Sequence, residues 1–129
     1  MKKRIIALLA TIIIAVPILA IPALRVQPRW TLINSATALC YRTDNIYIGS
    51  VTSLNSVYKM DIDIILYEKG LLTSYKEVSS INKTVYDYTH NAIGNYTFSS
   101  SKDYKIEMTV TAYTQSGQTE TITVSEEYT

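Results

Sequence analysis

The chain has 129 residues, room for one domain of ordinary size, and its bias suits a pleated sheet: eleven Tyr with many Ile and Thr, against one Phe, one Trp and four Gly. Twelve Lys and Arg stand against eleven Asp and Glu. Four of the basic residues (Lys2, Lys3, Arg4, Arg25) lie near the N-terminus, which leaves eight against eleven and a net charge of about −3. No basic run remains to track phosphates, and this excludes nucleic acid as a partner.

Met1-Lys2-Lys3-Arg4 opens the chain as a short cationic stretch, and residues 5–24 follow without a charge until Arg25. That order is the n-region and h-region of an export signal. Pro17 and Pro22 weaken a continuous helix and favour an extended segment that a peptidase can grip. The expected division is a signal peptide over 1–24, cut somewhere between 20 and 25, a linker over 25–31 and a domain over 32–129. Ala20 and Ala23 are the small residues nearest the cut. The expected location is therefore secreted, or extracellular. The alternative is an anchor retained through 5–24, since about 20 apolar residues span a bilayer; membrane contact is then made only through that segment.

The lone Cys40 excludes an internal disulfide, so an exported domain of this size relies on its core alone. Leu39 precedes it and the apolar run ends well before it, so a lipid-modified cysteine is not expected. Cys40 reads as a small buried hydrophobe on a strand.

Weaker strands are expected at 32–41 and 46–52, separated by Thr43-Asp44-Asn45. The clearest alternation covers 58–67: Met60, Ile62, Ile64 and Leu66 face one way, and Lys59, Asp61, Asp63, Ile65 and Tyr67 the other. Glu68-Lys69-Gly70 is a turn, with 71–78 as the partner strand of a hairpin. Weaker strands are expected at 84–89 and 96–99, with loops at 91–95 and 99–103. A second long alternation, 104–114, puts Tyr104, Ile106, Met108, Val110 and Ala112 on one face. It turns at Gln115-Ser116-Gly117-Gln118 and returns over 119–125. No 3.6-residue period follows the leader. Seven or so short strands with regular turns give an all-β antiparallel sandwich or small barrel.

The segment Asn95-Tyr96-Thr97-Phe98, then 103–112, then Gly117-Gln118-Thr119-Glu120 resembles the last three strands of a fibronectin type III domain. The resemblance implies an immunoglobulin-like β-sandwich in which Tyr104 is structural, filling a corner while its hydroxyl satisfies a backbone group. It covers about a quarter of the chain; the front half lacks a matching Trp, since Trp30 lies too early. The layout of apolar leader, Pro28-Arg29 start and late Tyr-rich strand is also similar to small exported proteins of unknown function from Gram-positive, clostridia-like bacteria.

Chemistry is scarce. The one His, His90, lies at the edge of an expected loop, and no Gly-x-Ser-x-Gly elbow is present. One His and one Cys cannot build a zinc site. Asp61 and Asp63 give two carboxylates on one strand face, which Asp44 and Asp103 could join for calcium, but a solvated face is the plainer reading. Asn82-Lys83-Thr84 and Asn95-Tyr96-Thr97 are formal glycosylation sequons, meaningful only in a eukaryotic host. No catalytic residue, metal or cofactor is expected. Tyr86 and Tyr88 on one face of the 84–89 strand, with Tyr67, Tyr75 and Tyr113 on outer faces, are the candidate binding residues, since Tyr offers large contact area with a polar tip. The expectation is a non-enzymatic secreted or surface module that binds an extracellular protein or a glycan. A toxin-like or antimicrobial effector is the alternative, and a small secreted hydrolase the remote one.

Overall fold

The computed structural model describes residues 3–4 and 30–129. Apart from Lys3–Arg4, the expected export segment and most of the expected linker therefore lie outside the described residues. Eight strands occur among those described: β1 (Lys3–Arg4), β2 (Ile33–Tyr41), β3 (Ile46–Ser53), β4 (Val57–Lys69), β5 (Lys76–Val85), β6 (Thr89–Asn95), β7 (Asp103–Thr114) and β8 (Thr119–Tyr128). They form two antiparallel sheets, ordered β1-β8-β7-β4-β5 and β2-β3-β6, and this is a β-sandwich with no helix among the described residues.

The expected alternation holds residue by residue on β4 and β7. Met60, Ile64 and Leu66 of β4 and Tyr104, Ile106, Met108, Val110 and Ala112 of β7 are wholly buried, and Ile62 nearly so; their neighbours face outward. Across from these large side chains the three-stranded sheet presents mainly small ones, Ala38 and Cys40 from β2, Gly49 from β3, Ala92 and Gly94 from β6, beside the larger Tyr47 and Val51 of β3. The sheets interlock because large meets small. A Cβ at Gly49 would lie 2.5 Å from Ile64 Cδ1 and 2.7 Å from Met108 Sδ, so the glycine is what lets the sheets approach. Gly94 similarly leaves room for the buried ring of Tyr47, whose hydroxyl makes a 2.6 Å hydrogen bond with Ser79 Oγ of the other sheet.

Both hairpin turns that need a left-handed residue have a suitable one. Gly117, at φ 95°, closes the β7–β8 turn, where its N–H donates to Thr114 O. Asn45, at φ 57°, closes the β2–β3 turn, and its side-chain oxygen accepts the Phe98 N–H.

Three sequence expectations are corrected. Residues 84–89 are not one strand: β5 ends at Val85, β6 begins at Thr89, and Tyr86-Asp87-Tyr88 bends across from one sheet to the other. Residues 91–95, expected as a loop, belong to β6, while 96–99 forms no strand. The partner of β4 begins at Lys76 rather than Leu71, so 71–75 is part of a longer turn. Composition misled in the first two. Tyr and Val made the crossover look extended, whereas β6 turns only His90, Ala92 and Gly94 inward and so shows no large-apolar period.

Tyr104 is wholly buried. Its hydroxyl accepts the Ser99 N–H at 2.7 Å and donates to Glu68 Oε2 at 2.9 Å. Its ring meets Phe98 edge-on at 4.7 Å and Tyr96 at 6.1 Å. Burial opposes charge on Glu68, but the hydroxyls of Tyr96 and Tyr104 and the Lys102 ammonium at 3.5 Å outweigh it and hold the carboxyl below its usual range. Tyr104→Ala should cost about 3–5 kcal/mol, as large-to-small aromatic changes in cores do. Tyr104→Phe, which leaves Glu68 and Ser99 each short of one partner, should cost about 1–3 kcal/mol. Urea unfolding of the two variants measures both; a negligible loss for Tyr104→Ala contradicts the corner role.

Candidate functional site

The outward residues of β5, β4, β7 and β8 line up in transverse rows, because antiparallel register sets each opposite its neighbour. One row runs Thr84, Asp61, Thr111, Thr121; the next runs Asn82, Asp63, Thr109, Thr123. Together Asp61, Ile62, Asp63, Asn82, Thr84, Thr109 and Thr111 line a shallow trough of about 470 Å³. Its floor is fixed by cross-strand hydrogen bonds. Thr84 Oγ1 donates to Asp61 Oδ1 at 2.7 Å, Asn82 Nδ2 donates to Asp63 Oδ1 at 3.2 Å, and the pairs Thr109–Thr123 and Thr111–Thr121 close at 3.0 and 2.9 Å.

Tyrosines flank the two rows along the strand direction, Tyr113 one row beyond Asp61 and Tyr67 two rows beyond Asp63. Tyr113 donates to Asp61 Oδ2 at 2.8 Å, with the Lys59 ammonium 4.4 Å from its ring centroid. Tyr67 donates to Glu107 Oε1 at 3.3 Å, and the Lys105 ammonium lies 4.8 Å from its ring centroid. Tyr113 is opposite Lys59 and Tyr67 is opposite Lys105, so they are eight positions apart along β4, roughly 26 Å at strand rise. Hydrogen bonds from Thr84 and Tyr113 hold the Asp61 carboxyl below its usual value. The same bond, seen from Tyr113, pushes that phenol up. Burial and the Glu107 charge push Tyr67 up.

The five candidate tyrosines do not form one face. Tyr67 and Tyr113 bracket the trough, both half-buried. Tyr75 lies in the β4–β5 turn and shares the Lys105 ammonium with Tyr67, at 5.1 Å from its own ring centroid. Tyr86, 74% exposed, and Tyr88, 44% exposed, lie on the crossover instead of on a strand face. There the Tyr88 carbonyl is tied down by Ser53, whose N–H and hydroxyl both donate to it at 2.8 Å. The polar residues between the tyrosines, Asn82, Thr84, Thr109 and Thr111, were not legible as a site. Asp61-Ile62-Asp63 is visible in the sequence, but its partners depend on the register of β5 and β7.

His90 is not a loop residue. It lies on the inward side of β6, and its Nε2 is buried without a hydrogen-bond partner. Cys40 is buried on β2, and burial pushes its thiol up to about 12, far from a reactive thiolate. Asp103 pairs with Lys69 at the far end of β4 from Asp61, so it does not join the Asp61–Asp63 pair, and Asp44 is in the β2–β3 turn. Among the described residues no group of three or more His, Cys, Asp or Glu could hold a metal ion.

A scan of protein-family models finds no match to the chain, and comparisons with curated proteins and with solved structures find none either.

Because its folded pKa lies below the unfolded value, Asp61 contributes stability above the ordinary carboxylate range, and this is lost as pH falls through the folded value. In a carboxyl-carbon NMR titration Thr84→Val should move the Asp61 midpoint upward, and Tyr113→Phe should do the same. Unmoved midpoints would break the assignment of cause.

Proposed function

We propose that the chain is an exported, non-enzymatic module of fibronectin type III-like build that binds an uncharged glycan along the outer face of its larger sheet. The strand order supports the fold reading. If β2 to β8 are lettered A, B, C, C′, E, F and G, one sheet is A-B-E and the other G-F-C-C′, the division of strands found in immunoglobulin-like sandwiches. The location remains an expectation from the leader, and fold alone carries no ligand.

The observation that carries the ligand class is the trough itself. It sets hydroxyl, amide and carboxylate groups at strand spacing on a rigid sheet, with a phenol ring beyond each end. Sugars present the complement: hydroxyls that both donate and accept, and flat C–H faces that rest on aromatic rings. Asp63 makes one hydrogen bond and keeps its other oxygen for a ligand hydroxyl. Two carboxylates in the trough disfavour an anionic ligand. A site on strands, with side chains already bonded to one another, loses little freedom on binding.

Affinity electrophoresis of the purified protein through gels containing soluble β-glucan, α-mannan or xylan tests this reading. At least one gel should retard the protein. Asp63→Ala and Asn82→Ala should weaken that retardation about tenfold or more, the factor for losing a hydrogen bond to a charged group or its support. Tyr86→Ala should leave it unchanged. The reading fails if no neutral polysaccharide retards the protein, or if Tyr86→Ala abolishes retardation while the trough variants do not.

A further inference from the structure

The longest turn of the larger sheet ends in two side chains that the fold does not use. Leu71 and Leu72 are 89% and 92% exposed, the two most open large hydrophobic residues among those described. Scattered exposed leucines are ordinary, but here two adjacent ones occupy the tip of a turn whose backbone is tied down. The Gly70 N–H donates to Thr73 Oγ1 at 2.8 Å, so the tip keeps its shape without the leucines packing on anything. Behind the tip come the small polar residues Thr73 and Ser74, and then Tyr75, with the ammoniums of Lys69 and Lys105 each 5.1 Å from its ring centroid.

We propose that this hairpin tip docks on a phospholipid bilayer, with Leu71 and Leu72 entering the acyl boundary and Tyr75 resting among the headgroups. The order of chemistry along the protrusion matches the order of layers in a membrane surface: apolar side chains outermost, an amphipathic phenol behind them, and ammoniums on flexible stems at phosphate depth. Lys69, Lys76 and Lys105 supply charge complementary to the phosphates, while Glu77 and Asp103 nearby offset most of it. Docking therefore rests on the leucines and depends little on salt. The small apolar area also favours a bilayer over a folded partner: two exposed leucines do not supply the roughly 800 Å² per side that a stable protein interface takes, whereas a fluid bilayer closes around a small apolar tip.

The test uses the full chain and its Leu71→Ser/Leu72→Ser variant, identical elsewhere, so residues 1–29 contribute equally to both. Flotation with phosphatidylcholine vesicles, with and without phosphatidylglycerol, reads the partition. The double variant should bind about tenfold more weakly or worse, as expected from withdrawing two leucines from an apolar layer, with thermal unfolding unchanged because both side chains are exposed. A second readout is local. Leu72→Cys can be labelled with an environment-sensitive fluorophore at neutral pH, since Cys40 is buried and its thiol is pushed up to about 12. The label should shift to the blue on vesicles and become shielded from an aqueous quencher. An unshifted, fully quenched label overturns the proposal, whatever residues 1–29 do. So does a parent chain that is dimeric without lipid and becomes monomeric in the double variant, which would make the tip a self-association surface.

Discussion

The larger sheet keeps its register because one face of β4, β7 and β8 has to be covered by the facing sheet, where small residues oppose most of the large ones and Tyr47 and Val51 fill the rest of the layer. Ile62, Ile64, Ile106, Met108 and Val110 are too large to face an equally large layer at the spacing of a sandwich. Ala38, Cys40, Gly49, Ala92 and Gly94 make the fit. The side-chain period of a strand is two, so this constraint also decides what faces water. A slip of one residue in β4 would bring Asp61 and Asp63 into the core and expel Ile62 and Ile64. Burying a carboxylate without a partner costs several kcal/mol, so the slipped register is closed. The polar trough is thus the reverse side of the core.

The two ends of the sandwich are each gathered by one glutamate. At one end Glu68 accepts from Tyr96, Tyr104 and Lys102, which joins β4 to the 96–102 loop and to the start of β7. Arg42 adds to this end by donating to the carbonyls of Ser99 and Lys102 and by lying over the Tyr104 ring. At the other end Glu120 accepts the N–H groups of Thr31, Leu32 and Ile33 at 2.6–3.1 Å, fixing where the chain enters β2. Each carboxylate replaces several loop or strand-end partners with one fixed acceptor. The sheet face between them is held by side-chain pairs across the strands.

Legibility followed packing. β4, β7 and β8 could be read from sequence because each meets core on one face and water on the other. β2 and β3 were found within a residue or so, helped by Thr43-Asp44-Asn45 between them. β6 escaped because its inward positions hold His, Ala and Gly, small enough to admit Tyr47, and such residues leave no hydrophobic period. Tyr86-Asp87-Tyr88 looked like a strand because Tyr has high sheet propensity, yet its place is set by Ser53 holding the Tyr88 carbonyl, a contact between residues 35 apart in sequence. Half of the trough was visible in Asp61-Ile62-Asp63. The other half, Asn82 and Thr84, depended on the pairing of β5, where a bulge between Leu66 and Tyr67 shifts the register beyond reach of a pattern argument.

The proposed recognition surface is the Asp61–Asp63 trough, and not the tyrosines of the crossover. Amide chemical-shift mapping of the isotope-labelled protein, titrated with a neutral oligosaccharide, tests this most directly. The account predicts progressive shifts at Asp61, Asp63, Asn82, Thr84, Thr109 and Thr111, flanked by changes at Tyr67 and Tyr113, with Tyr86, Tyr88 and Ile93 unmoved. Shifts confined to residues 86–93, with the trough silent, would contradict it.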